Sequence, residues 1–442
     1  MMRKWFVMGA GLLLMVMLAA GAGKLYAAPQ DQAKPAYSLA EYNMYKAADA
    51  EQNPQQKIAK LDEFVKQYPS STLLPYVYRA YYLTYYAMKN YASTIEYADR
   101  MIALGDKVDT QGRLEAAVAR AQAFYVGTSA DKSLQTPDAL GKARDAAVQG
   151  LKTLDDWKKP DPMAADQYDQ QKKGFSILFN SIAAMSSMSL KDYPGAAGYY
   201  KTVLTIDPND AVSHYRLGIV DLQMAPPQAT DGFWELARAI ALKIPNAPQV
   251  QTYLKNQLTR YQQPSCDKLV DDQVNEIVTL AASSPDKPAT LMIPSAADLQ
   301  KARDDTANFL PSLKAGGDAG KTMWLASCGL EYPDVGVRLM EAPQVDGDNV
   351  TVKVFRGATP EEIEAATESN MHVKIVGQPE AKRLEKDAVV RFTGTLVGYT
   401  QTPFLLTWDK AKINTEDLPE EKSGPTKKAP AKKAPAKKAP AD

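Results

Sequence analysis

Residues 315–322, with the sequence AGGDAGKT, satisfy a relaxed phosphate-loop pattern in which Ala315 stands in place of the first glycine. Such a loop binds phosphate when a strand precedes it and a helix follows it, because backbone amides and the helix N-terminus then face the anion. Here a helix containing Pro311 is predicted before the loop, and the strand-like stretch MWLASCG follows it. We therefore interpret residues 315–322 as a flexible glycine turn, and we expect no nucleotide cofactor.

Side chains that carry hydrolytic and metal chemistry are scarce or scattered. His214 and His372 are the two histidines, and neither has a cysteine or a second histidine at metal-ligand spacing. The sequence has no Gly-x-Ser-x-Gly nucleophile elbow. The adjacent carboxylates Asp304-Asp305 and Glu361-Glu362 are typical of solvated faces or helix starts. These observations favour a protein that is not an enzyme and that needs no metal and no other cofactor.

The elements that would position binding residues are mainly helices. In the stretch KDYPGAAGYYKTVLTIDP (residues 191–208), Ala196, Tyr200 and Val203 share one face at helical spacing, and Pro208 ends the helix. This arrangement resembles the second helix of a tetratricopeptide repeat (TPR), a helix–turn–helix unit with a period of 34 residues. The following stretch, AVSHYRLGIVDLQ, has Leu217-Gly218 where the family has its Leu-Gly pair.

Other stretches extend the resemblance in both directions. Residues 90–104 and 60–71 end two earlier units, and further helical pairs are predicted near residues 110–153 and 164–190. The resemblance implies an α-solenoid over residues 38–262 that ends in a polar capping helix. A helical connector is expected over residues 263–320.

From about residue 323 the apolar pattern changes to alternation, which predicts strands in VRLME, VTVKVF, HVKIV, AVVRFTGTLVGYT and PFLLTWDKAKI. A short helix capped by Thr359 lies between them, and Gly394 and Gly398 are expected at bends or bulges. About five strands with one inserted helix resemble a small OB-like barrel. The predicted fold class is thus mainly α: a TPR-like α-solenoid, a small β-barrel-like (α+β) domain over residues 321–418, and a disordered tail.

The two ends of the chain are interpreted from composition. Arg3 and Lys4 precede an apolar run and then small residues, which is typical of a secretory signal peptide over residues 1–28. An uncleaved inner-membrane anchor is the alternative. The tail, residues 419–442, repeats Ala-Pro with Lys-Lys pairs and is expected to be disordered. It is either a spacer or a weak, salt-sensitive contact for anionic envelope polymers.

Export of the protein would allow its two cysteines to form a disulfide. Cys266 and Cys328 are the only cysteines, and in an oxidising compartment two cysteines can pair. Two buried free thiols are the alternative. We expect a periplasmic or secreted protein with no stable membrane span after processing.

Tyrosines are concentrated between residues 76 and 97. If Tyr91 takes the aromatic position of the family's second helix, then Tyr78, Tyr81 and Tyr85 fall on the packed face, while Tyr82 falls where the family prefers a small residue. The same register places Tyr76, Arg79, Leu83 and Tyr86 on the concave face. There Arg79 would suit a peptide carboxylate, and tyrosines offer contact area with a polar tip. The candidate ligand-binding residues are Tyr76, Arg79, Tyr86 and Tyr215, and helix packing is the alternative role for each.

The formal net charge is zero, but the body is mildly acidic once the Lys-rich tail is set aside, so nucleic acid is not an expected partner. By resemblance to bacterial envelope TPR proteins, we expect a non-enzymatic scaffold that binds protein or peptide segments in its concave groove. The alternative is a module that binds envelope polysaccharide or another ligand through the C-terminal β domain.

Overall fold

The computed structural model of the protein describes residues 36–347 and 349–419. It forms two compact units: the first extends to Leu258 and includes Asp271–Ile293, and the second comprises Thr259–Val270 and the chain from Pro294 onward. This division differs from the boundaries expected at residues 262 and 321, because the connector is shared between the units. The predicted signal peptide lies outside the described residues, as does the predicted tail apart from Pro419.

The first unit is helical, and the unit boundaries fall within its last two helices, α11 and α12. Its helices are α1 (Leu39–Asp49), α2 (Pro54–Gln67), α3 (Leu74–Ala87), α4 (Tyr91–Ile102), α5 (Thr110–Gly127), α6 (Pro137–Asp156), α7 (Ala165–Ser189), α8 (Tyr193–Ile206), α9 (Ala211–Gln223), α10 (Ala229–Ala241), α11 (Ala247–Gln262) and α12 (Asp267–Ser283).

Side-chain caps define where several of these helices begin. The Ser38 hydroxyl accepts from the Glu41 amide at 3.1 Å, as the sequence predicts for α1. Asn53 caps α2 through the Gln56 amide, and Pro54 occupies the first turn, where its missing N–H costs nothing. These caps fix the start of each helix and thus the direction in which its residues face.

Consecutive helices of the first unit pack against each other, and the core lies between them. Helices α1 to α9 each contact the next helix along the chain, and α5 also contacts α3 and α7. The residues of α8 that the sequence analysis placed on one face, Ala196, Tyr200 and Val203, are completely buried. One expectation was wrong: residues 164–190 form the single 25-residue helix α7 rather than a helical pair.

The described part of the second unit contains four shorter helices, α13 (Ala296–Asp304), α14 (Phe309–Ala315), α15 (Gly317–Ser327) and α16 (Pro360–Ala365). Ser295 and Asp298 form a capping box at the start of α13. The expectation of a strand in MWLASCG was wrong, because residues up to Ser327 belong to α15. The predicted domain start at residue 321 therefore falls inside a helix.

Among the described residues of the second unit, six strands form one mixed sheet: β1 (Glu331–Leu339), β2 (Gln344–Asp346), β3 (Asn349–Phe355), β4 (Met371–Val376), β5 (Val389–Thr400) and β6 (Leu405–Ile413). The strand order is β1-β5-β6-β4-β3-β2, and β1 also pairs with β3. The β4–β6 pair is parallel and the other pairs are antiparallel.

The sheet encloses an apolar core that includes the predicted inward face of β5, namely Val390, Phe392 and Leu396. Trp408 of β6 packs edge-on against Phe392, with ring centroids 5.3 Å apart. The β5–β6 register shifts between Thr393 and Thr395 and again between Leu396 and Gly398. The bends expected at Gly394 and Gly398 are thus confirmed.

Candidate functional site

A cavity of about 300 Å³ opens in the first unit among α1, α2 and α3. Two tyrosines, two cations and two carboxylates contribute to its wall, and small apolar residues of α3 contribute to its floor. We call this cavity the tyrosine groove; its lining residues are Tyr45, Asp49, Glu51, Gln52, Pro54, Lys57, Tyr76, Arg79, Ala80, Leu83, Thr84 and Ala87.

The orientation of α3 directs its binding residues into the groove. Tyr81 and Tyr82 are almost completely buried, and the Tyr81 hydroxyl donates to Asp62 of α2 at 2.6 Å. Tyr76 lies five positions before Tyr81 and six before Tyr82, which separates it from them by roughly 120–140° around the helix and places it on a different face. Tyr76 is consequently 55% exposed at the groove rim. Burial of two large aromatic side chains thus fixes the side of α3 that remains open.

Tyr45 and Tyr76 form the aromatic wall of the groove. Their ring centroids are 6.2 Å apart, and the ring planes are inclined by 51°. Burial, assisted by the neighbouring Asp49 charge, raises the pKa of Tyr45 to about 12. The Tyr45 hydroxyl therefore stays protonated at physiological pH and can donate a hydrogen bond.

The cations of the groove are held by ion pairs. Arg79 Nε lies 3.3 Å from Glu115 Oε2 of α5. Burial acts to lower the pKa of Arg79, but the charge and hydrogen bond of Glu115, together with Tyr82 and Tyr45, outweigh that effect and raise the pKa above its ordinary value. Lys57 Nζ donates to the Asp49 carbonyl at 2.8 Å and lies 3.8 Å from Asp49 Oδ1. The groove therefore presents fixed charges that largely cancel.

The structure brings together two of the four candidate ligand-binding residues. Tyr76 and Arg79 line the tyrosine groove, whereas Tyr86 does not and instead packs edge-on against Tyr91 at 5.8 Å. Tyr215 lies on α9, where its ring is 6.4 Å from that of Tyr253. The groove thus selects Tyr76 and Arg79 from the candidate set.

Sequence reasoning missed Tyr45 and Lys57, which belong to the same groove. Both lie on the first helical pair, which lacks the Leu-Gly signature of the family. Their spacing to Pro54, the residue that starts α2, shows that they flank a helix–helix connection. This spacing predicts that Tyr45 and Lys57 lie close to each other, but it does not predict that they lie close to α3.

The other tyrosines of this region form a packed cluster. Tyr81 stacks on Tyr97 with ring centroids 4.0 Å apart, and Tyr85 stacks on Tyr97 at 5.5 Å. Tyr78 lies 6.2 Å from the same ring. Tyr78, Tyr81 and Tyr85 therefore pack as predicted and stabilise the α3–α4 pair.

The cysteines of the second unit are joined as a Cys266–Cys328 disulfide, with Cα atoms 5.7 Å apart. The sequence left open a disulfide or two buried free thiols, and the structure contains the disulfide. It ties the segment Thr259–Val270 to the chain just beyond α15.

The phosphate-loop pattern lies between two helices in the structure. Helix α14 precedes it and α15 follows directly, so the strand that phosphate binding requires before the loop is replaced by a helix. Gly316 has a φ of +68°, and the Gln401 amide donates to the carbonyl of Ala315 at 3.2 Å. The loop is a glycine turn covered by the side chain of Gln401, which follows β5.

The histidines take part in local contacts. His214 Nδ1 lies 2.5 Å from Glu235 Oε2, and its Nε2 lies 3.0 Å from the carbonyl oxygen of Pro208. His372 lies on β4, opposite Lys353 of β3. Within the described residues, no group of three or more His, Cys, Asp or Glu side chains is placed to hold a metal ion.

Comparison with models of protein families finds no match to this chain, and comparison with curated proteins finds none either. Over residues 36–347 and 349–419, no helix is both long enough and apolar enough to cross a membrane.

Proposed function

We propose that the protein is a non-enzymatic scaffold of the bacterial cell envelope that binds protein or peptide segments in the tyrosine groove. The observation that carries this proposal is the groove itself, in which two tyrosine rings, Arg79 and Lys57 surround a cavity of about 300 Å³. Concave sites with aromatic walls and a few convergent polar groups are where proteins usually hold ligands. A preformed wall also lowers the entropy cost of capture.

The architecture proposed for the first unit is a TPR-like array. The contacts of α5 with α3 and α7 support it, because alternate helices touch when helical pairs stack. Gly218, at the family's Leu-Gly position, supports it further: a Cβ atom there would lie 2.8 Å from the Gly232 carbonyl oxygen. Such close contact between α9 and α10 requires glycine on both helices.

For the second unit we propose an OB-like barrel. Because β1 pairs with both β3 and β5, the strands β1, β5, β6, β4 and β3 form a ring of neighbours, and a five-stranded barrel is typical of that fold. We place recognition in the first unit because the tyrosine groove lies there.

Export to the periplasm or the medium is part of the proposal. A disulfide is stable in an oxidising compartment, and the basic and apolar start of the sequence supports the same location. Anchorage by an uncleaved N-terminal segment is the alternative. The Lys-rich tail would add weak contacts with anionic envelope polymers.

Capture of partners from envelope extract by the full chain tests the proposal. Tyr76→Ala and Arg79→Ala should each reduce the captured partner roughly tenfold or more, as expected for binding residues at the centre of an interface. Arg100→Ala is a matched control, because Arg100 is similarly exposed and pairs with Glu96 outside the groove. Undiminished capture by both groove variants, in folded protein, would contradict the proposal.

A further inference from the structure

The inference drawn here rests on the proposed function and concerns the chemistry of the segment that the tyrosine groove accepts. Several hydrogen-bond acceptors around the groove already accept from protein donors. Glu51 Oε2 accepts from Lys60 Nζ at 2.5 Å, and its Oε1 accepts from the Asn53 amide at 2.9 Å. Asp49 is paired with Lys57 through both its carbonyl and its carboxylate.

The third carboxylate beside the groove is also occupied from two sides. Glu115 Oε2 accepts from Arg79 Nε, and Glu115 Oε1 accepts from the Gln111 amide, both at 3.3 Å. A ligand that offers N–H groups or a positive charge would have to share carboxylates that these contacts already engage. A ligand that offers a carboxylate would meet the negative charge of Glu115, which already pairs with Arg79.

Donors, in contrast, are open. Among the hydrogen bonds of the residues that the structure describes, neither the Tyr45 nor the Tyr76 hydroxyl has a partner. Tyr45 remains protonated, as argued above, and Tyr76 is exposed at the rim. The groove therefore offers two O–H donors next to two aromatic faces, above the apolar side chains Ala80, Leu83 and Ala87.

We propose that the tyrosine groove selects an uncharged, proline-rich segment in the polyproline II conformation. Such a segment has free carbonyl acceptors along its length because this helix forms no internal hydrogen bonds. Each proline also lacks an N–H, so the segment brings few donors that need acceptors. Its pyrrolidine rings pack on aromatic side chains, which is how aromatic-lined grooves recognise proline-rich partners.

Fluorescence anisotropy of a labelled decaproline peptide with the full chain tests this inference. Tyr45→Phe and Tyr76→Phe keep the rings and remove the donors, and each should weaken binding roughly three- to tenfold. Tyr215→Phe is the matched control, since Tyr215 is a half-buried tyrosine that does not line the groove. It should leave the dissociation constant unchanged.

The salt dependence of the same titration tests the cancellation of charge. Raising the salt from about 0.05 to about 0.5 M shortens the screening length severalfold, yet binding of an uncharged segment should change less than about twofold. A decapeptide of alternating proline and glutamate, or of alternating proline and lysine, should bind no better than decaproline at either salt concentration.

The outcomes separate this inference from the function on which it rests. If decaproline fails to bind, or binds equally to the Tyr→Phe variants, while Tyr76→Ala and Arg79→Ala still reduce capture from envelope extract, the ligand chemistry is wrong and the scaffold function stands. Tighter, salt-sensitive binding of the acidic or the basic peptide also overturns the inference. If the Ala variants capture partners normally, the groove is not the binding site and both proposals fail.

Discussion

Asp221, near the C-terminal end of α9, is a carboxyl group whose surroundings oppose its charge. It is 1% exposed, and its Oδ1 has no hydrogen-bond partner among the described residues. Burial, together with Glu235 and Asp231 of α10, raises the pKa of Asp221 to about 7, although Lys201 of α8 acts in the opposite direction. The folded protein therefore holds this proton at pH values where the unfolded chain releases it.

Asp221→Asn should remove this pH dependence. In wild-type protein the folded pKa is higher than the unfolded one, so stability falls as the pH rises from about 4 to about 7, by at most roughly 4 kcal/mol, and stays lower above that range. The variant should match wild type near pH 4 and exceed it near pH 8. Urea unfolding across this range measures the difference, and identical pH profiles would show that Asp221 is ionised in the folded state.

The sequence predicts which residues of α3 are buried and which are exposed, but not all of the residues that contact them. Helical spacing suffices to place Tyr81 inside and Tyr76 outside. The same spacing places Tyr82 at a position where the family prefers a small residue. In the structure the neighbours Ala98 and Ala116 are small, and they leave room for the Tyr82 ring. Tyr45 escaped prediction because its contact with Tyr76 depends on how two helical pairs stack, which spacing within one helix does not encode.

Among the elements, the α9–α10 pair depends most directly on glycine. A Cβ atom at Gly218 would lie 2.8 Å from the Gly232 carbonyl oxygen and 3.0 Å from the Leu236 amide nitrogen. Both are backbone atoms of α10, so relief requires a shift of the whole helix. The pair is therefore intolerant of even one added methyl group.

Gly218→Ala should destabilise the first unit by roughly 1–3 kcal/mol through this overpacking. Gly198→Ala is the matched control, because Gly198 lies in α8 with open space around its missing Cβ. That substitution should instead stabilise by about 0.5–1 kcal/mol, since alanine favours a helix. Chemical unfolding compares the two variants, and equal effects would exclude close packing as the cause.

Elements with a long periodic pattern were predicted well, and short apolar runs were not. The stretch AVSHYRLGIVDLQ corresponds to α9, whose end is set by the proline-containing turn that follows. MWLASCG is apolar enough for a buried strand, but a run of this length fits a helix equally. The burial of Gly320 and Met323 at helical spacing shows why α15 is stable: one face covers the core of its unit.

For the whole molecule, the disulfide is the covalent constraint of the second unit. It joins residues 62 positions apart, so it restricts a long loop in the unfolded chain. Neither cysteine belongs to the first unit, and the groove does not involve them. The disulfide should therefore stabilise the second unit and not the first.

The double variant Cys266→Ser/Cys328→Ser should lose about 2–4 kcal/mol in the second unit and leave the first unit unchanged. In scanning calorimetry this would appear as one transition lowered by roughly 5–10 °C and another transition held constant. Peptide binding by the tyrosine groove should also be unaffected. A parallel loss in both transitions would mean that the units do not unfold independently.

The measurement that tests the central claim most directly is photocrosslinking in the envelope with p-benzoylphenylalanine placed at position 76 of the full chain. The tyrosine groove predicts crosslinks to a partner from this position. It predicts none from position 215, where Tyr215 packs on α9 against Tyr253, and none from position 407 on β6, where Thr407 is exposed on the sheet. Crosslinks from position 407 without any from position 76 would contradict the account and would place recognition in the second unit.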